Sequence, residues 1–177
     1  MSFRDTPTEW RAYRGIGLGL LFEGIRVTVA GMEVPPDFIG NLLVAGSALG
    51  LARVERRFVP VWALAFFLAA FDLCGLVLDL GALAAPRTLL YAAMVWSLLL
   101  AIEARMAAHD IRTLESLARS LRWISVTVSL GVSAVLLSPG SGFGVLAMVP
   151  HLACWAGLLA LLWAVSVELR GIADAPA

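Results

Sequence analysis

The sequence predicts an all-α, polytopic integral membrane protein: a bundle of six transmembrane helices with an amphipathic helix between the fourth and fifth spans. Three observations carry that expectation. Hydrophobic residues make up 60% of the 177 residues and the mean hydropathy is +0.89, against roughly 45–50% apolar residues in a soluble domain. The apolar residues gather into six runs separated by Pro, Gly or clustered charge. The arginines, finally, fall almost entirely on one side of the arrangement those runs imply.

The runs are Arg14–Met32, Phe38–Ala52, Val59–Leu80, Thr88–Ala104, Trp123–Leu137 and Phe143–Leu169. Each break has a chemical reason. Glu33-Val-Pro-Pro-Asp37 ends the first run, and the charges from Arg53 to Arg57 end the second. Gly81 to Pro86 ends the third, Arg105–Arg122 is a polar stretch after the fourth, and Ser138-Pro-Gly-Ser-Gly142 ends the fifth. Residues 1–13 and 170–177 then form short tails flanking a membrane domain of residues 14–169. Glu23 and Arg26 interrupt the first run and make it a poor secretory signal peptide.

If all six runs cross, alternate connections share a side. Arg4, Arg11, Arg14, Arg53, Arg56, Arg57, Arg105, Arg112, Arg119, Arg122 and Arg170 fall on one side, and only Arg87 on the other. By the positive-inside rule this places both termini in the cytoplasm and the protein in the cytoplasmic (inner) membrane. Trp10, Trp62, Trp123 and Trp163 lie at the ends of runs on that same side, as an interfacial aromatic belt requires. Ala107, Ile111, Leu114, Ala118 and Leu121 recur at three- and four-residue steps opposite Arg112, Glu115 and Arg119, which predicts the amphipathic helix over residues 107–121. Gly15-Ile-Gly-Leu-Gly19 and Gly46-Ser-Ala-Leu-Gly50 are GxxxG patterns and predict close helix approach.

Ionisable residues within a bilayer are costly, and so mark candidate sites. Glu23 and Arg26 on the first span and Asp72 on the third fall near mid-membrane, with Asp79 and His151 in the outer half. Asp72 and Asp79 are two helical turns apart and share a face, as do Glu23 and Arg26. One reading is an ion pair, with Arg26 held by Glu23 or Asp72 to pin the first span against the third. The other is a ligand or ion site, a polar cavity lined by Glu23, Arg26, Asp72, Asp79 and His151 that binds a small solute or relays protons.

No enzyme class is indicated. There is no HExxH, no GxSxG with a usable His, and no phosphate-binding glycine loop. Only two aspartates stand where CDP-alcohol phosphatidyltransferases need four with a DGxxAR start, which excludes that family. His109 and His151 fall at different membrane depths, so they do not form a bis-imidazole haem site, and no cofactor or metal is expected. Cys74 and Cys154 lie inside apolar runs without a CxxC pattern. A formal charge of zero gives no basis for a nucleic-acid partner. The expected partners are the lipid bilayer and other membrane subunits or further copies of the chain. The expected role is a non-enzymatic component of a larger membrane assembly, with a small-solute, ion or proton carrier as the alternative.

Overall fold

The computed structural model of the chain describes residues 6–22, 27–29, 32–34, 37–75, 84–136 and 144–174. Among them are six α-helices: α1 (Thr6–Phe22), α2 (Asp37–Ala52), α3 (Val59–Gly75), α4 (Ala84–Ala108), α5 (Arg112–Leu136) and α6 (Gly144–Asp174). Between α1 and α2 lie two short antiparallel strands, β1 (Val27–Val29) and β2 (Met32–Val34), with Val27 opposite Val34 and Val29 opposite Met32. Each helix packs on its neighbours in sequence and α1 closes on α6, so the described helices form an up-and-down ring. Its centre is filled by Tyr13, Ile16 and Leu20 of α1, Leu68 of α3, Met94, Leu98 and Ile102 of α4, and Leu161 and Leu162 of α6, all essentially inaccessible.

Among the described residues, three helical stretches are long and apolar enough to cross a membrane: Arg56–Gly75, Pro86–Ala108 and Val149–Asp174. The remaining helices are apolar in part. α2 has 16 residues and α1 has 17, about 25 Å at 1.5 Å per residue, against a hydrocarbon core of roughly 30 Å. α5 has the length, but its first turns carry Arg112, Glu115, Arg119 and Arg122.

Two expectations are corrected. The first run does not continue as a helix from Arg14 to Met32, because α1 ends at Phe22 and the chain pairs as β1–β2. Val27, Thr28 and Val29 are β-branched and favour extended backbone, Ala30 and Gly31 are the only residues between the strands, and Pro35-Pro36 follow. Hydropathy averages over such a segment without registering its backbone preference. The second correction concerns residues 107–121, which are not one helix. Ala107 belongs to α4, and the chain breaks at 109–111 before α5 starts at Arg112 and runs on through the fifth apolar run.

That break is a helix-ending motif. Asp110 has φ of 57°, the Ile111 N–H donates to the Met106 carbonyl at 2.9 Å, and the Asp110 N–H donates to the Ala107 carbonyl at 3.1 Å. This is the 6→1 and 5→2 pair of a Schellman ending, with Asp in the left-handed position usually held by Gly. The amphipathic pattern still has its cause: Leu114 and Ala118 are buried and Ile111 and Leu121 pack at the edge of the core. Ala107, by contrast, is exposed.

The two GxxxG patterns behave differently. Side chains built at Gly15 and Gly19 would collide with Ser47, and with Val44 and the Gly40 backbone, so this motif is the close contact between α1 and α2. Nothing lies within 4 Å of the corresponding positions at Gly46 and Gly50.

Candidate functional site

The most concentrated buried charge on the hairpin end of the bundle is built by α2, α3 and α4. Asp72 lies one turn from the end of α3, and its side chain is only 5% exposed. Arg87, in the first turn of α4, reaches it with Nε donating to Oδ1 at 2.6 Å. The same guanidinium donates through Nη2 to Asp37 Oδ2 at 3.0 Å. Asn41, wholly buried one turn into α2, donates through Nδ2 to the other oxygen of Asp72 at 2.9 Å. Asn41 Oδ1 has no hydrogen-bond partner among the described residues.

Helix electrostatics explain part of this arrangement. Asp37 is an acid in the first turn of α2, where the amide dipoles favour it. Arg87 opposes the dipole at the start of α4, so carboxylates from neighbouring helices are what hold it there. Two carboxylates face one guanidinium, and the four side chains tie three helices together.

The sequence-predicted cluster is thus only partly described. Glu23, Arg26 and Asp79 lie outside the described residues. The partners found for Asp72 are Arg87 and Asn41. Arg87, the single arginine expected in a connection on its side, is helical, and two carboxylates bind it. The available signal was that it is the lone arginine on its side, in a segment facing Asp37 and Asp72.

His151 occupies a second place, among α4, α5 and α6. Its ring is 6.5 Å from that of Tyr91, centroid to centroid. The two line a cavity of about 20 Å³ with Ser125, Ser129, Cys154 and Trp155, room for about one water. Trp155 donates its indole N–H to the Leu20 carbonyl at 3.1 Å. That carbonyl is among the last four of α1, which have no partner within their own helix.

Sequence reasoning missed a third group, at the arginine-rich end. Arg105 of α4 forms a two-pronged pair with Glu9 of α1, Nη2 to Oε1 at 2.5 Å and Nε to Oε2 at 3.2 Å. The Glu9 side chain is 2% exposed and that of Arg105 11%. α1 and α4 are not neighbours in the ring, so this pair bridges its interior. Tyr13 packs beside it, edge-on to Phe58 at 5.9 Å. His109, one turn beyond Arg105, is held below the usual imidazole range, first by burial and then by the Arg105 charge, with Glu9 acting the other way. On the α4–α5 face, Glu103 pairs with both Arg119 and Arg122 at 2.7 Å.

Among the described residues, no group of three His, Cys, Asp or Glu side chains could hold a metal ion. Comparison with protein-family models, with curated proteins and with solved structures gives no match, so the site's chemistry is the basis for any functional reading.

Proposed function

We propose that the chain is a non-enzymatic, multi-pass protein of the cytoplasmic membrane, working as a subunit or accessory component of a larger membrane assembly. In this reading all six helices cross or enter the bilayer and both termini are cytoplasmic. The observation that carries it is the junction of Asp37, Asn41, Asp72 and Arg87, in which charge ties helices together. The Glu9–Arg105 bridge does the same at the opposite end, and apolar packing fills the space between them. Phe66, Phe67, Leu130, Leu152 and Trp163 are left facing outward, as surface for lipid or neighbouring subunits.

A second reading, a small-solute, ion or proton carrier, draws on the unpartnered Asn41 Oδ1 beside Asp72 and on the water-sized cavity at His151. One experiment separates the two. The purified chain is reconstituted in liposomes containing a pH-sensitive dye, and proton entry is followed under an imposed potential. The subunit reading expects wild type and Asp72→Asn to match empty vesicles, and mild extraction from the native membrane to yield a particle well above the 18.9 kDa chain. Proton entry that Asp72→Asn abolishes would replace this reading with the carrier, and extraction as a lone chain would remove the assembly.

A further inference from the structure

The outer flank where α1 meets α6 carries a groove of about 490 Å³, within the roughly 300–1,000 Å³ of small-molecule sites. Leu18 and Leu21 of α1 form one wall, and Leu159 and Trp163 of α6 the other. Gly17 and Leu162 lie on its floor, where a Cβ at Gly17 would stand 4.0 Å from Leu162, in ordinary contact. Leu18 is 55% exposed and Trp163 66%, so the walls are apolar surface that needs an apolar cover.

The two helices run antiparallel here, so the groove has a direction. Arg14, Leu18 and Leu21 lie at i, i+4 and i+7 on one face of α1 and descend about 10 Å away from the arginine-rich end. Arg14 is the charged residue lining the groove, and it stands at the mouth. Above it, three guanidinium groups gather about one indole: Arg11, Arg14 and Arg170 lie 5.3, 4.8 and 5.5 Å from the Trp10 ring centroid. Among the described residues the carboxylate paired with this group is Asp174, 3.4 Å from Arg170, while the nearby Glu9 is taken by Arg105. Positive charge is therefore in excess at the mouth of an apolar slot, at the level where an interfacial Trp belongs.

We propose that this is a binding site for one anionic phospholipid. The head-group phosphate is held by Arg11, Arg14 and Arg170, and an acyl chain lies in the groove between Leu18 and Trp163. Guanidinium is suited to phosphate by its fork of donors. An anion there also relieves the repulsion among three cations gathered on one ring. The site rests on the chain spanning a membrane and is independent of the assembly proposed above.

The test is native mass spectrometry of the full chain, released from detergent micelles containing phosphatidylglycerol or phosphatidylcholine. Wild type is expected to retain one phosphatidylglycerol in preference to phosphatidylcholine. Preference should fall about fivefold for each of Arg11→Gln, Arg14→Gln and Arg170→Gln. The triple variant Arg53→Gln/Arg56→Gln/Arg57→Gln, which removes three times the charge of each single variant from the same end without touching the groove, should keep the preference. Gly17→Leu, which fills the groove, should lose both lipids while circular dichroism shows the helices intact. Equal retention of the two lipids by wild type, or a loss of preference in the Arg53/Arg56/Arg57 variant as large as in the Arg11, Arg14 and Arg170 variants, overturns the proposal. Should Gly17→Leu keep its lipid but release the chain from a larger particle in the native membrane, the groove holds a partner's helix, and the lipid site is refuted.

Discussion

Arg87 Nε lies 2.6 Å from Asp72 Oδ1, joining the first turn of α4 to the last turn of α3. A guanidinium cannot readily discharge by losing its proton, and Asp72 has almost no access to water, so each residue fixes the position of the other. Arg87→Leu should destabilise the protein by about 3 kcal/mol, the lower end for a broken buried pair because a third of Arg87 is exposed. Arg87→Leu combined with Asp72→Leu should recover most of that loss, since apolar side chains replace a buried pair well. Thermal unfolding of both variants in detergent measures the difference, and an equally unstable double variant would show that the pair is not what holds the junction.

Glu9→Ala leaves Arg105 charged and enclosed between α1 and α4, an expected loss of about 3–5 kcal/mol. Glu9→Gln, which keeps the shape and one acceptor oxygen, should lose less. Midpoints of chemical unfolding for the two variants give the order, and equal midpoints would count against a charge-dependent bridge.

Acid should weaken the arginine-rich end through His109. Its folded-state pKa is depressed, so between that value and the unfolded value of about 6.5 the unfolded chain binds more protons. The stability contributed by neutral His109 is therefore complete above that range and lost as pH falls through it. His109→Asn should flatten this part of the melting temperature's pH dependence. An unchanged slope would mean that His109 is not the titrating group.

Gly19→Ala puts a Cβ 2.6 Å from the Gly40 carbonyl oxygen and 2.8 Å from Val44. Backbone must move to admit it, an overpacking cost of about 1–3 kcal/mol. Gly50→Ala meets nothing within 4 Å and should be neutral or slightly stabilising, given a helix propensity gain of up to about 1 kcal/mol. Gly19→Ala should therefore lower the melting temperature, while Gly50→Ala should leave it unchanged or raise it.

The proposed orientation rests on the arginine distribution. Single cysteines introduced at positions 56 and 112 should react with an impermeant thiol reagent only from the cytoplasm, in a background where Cys74 and Cys154 are replaced by Ser. Reaction from the outside at either position would reverse the assigned topology.

The apolar helices and the break at 53–57 were legible in the residues because they depend on local properties. Apolar runs and the charge cluster at 53–57 act on the chain where they stand, whereas within 105–122 the helices are interrupted only at 109–111. Local reading failed where a local preference was hidden inside an apolar run. Val27-Thr28-Val29 is as hydrophobic as a span requires, yet its β-branched side chains favour the extended pairing with residues 32–34.

What only the tertiary structure decided is which charges meet. Helix spacing pairs residues three or four apart, and so drew attention to Glu23 with Arg26. The pairs that tie α1 to α4, and α2 and α3 to α4, join residues 15 apart (Arg87 and Asp72), 50 apart (Arg87 and Asp37) and 96 apart (Arg105 and Glu9). The same holds for Arg170 of α6, which the fold brings to Trp10 beside Arg11 and Arg14, and for the groove below them. In each case the chain supplies the charge, but the closure of α1 through α6 into a ring sets the distance. Electrostatic attraction in a low-dielectric interior depends on that distance and on burial, neither of which sequence separation encodes.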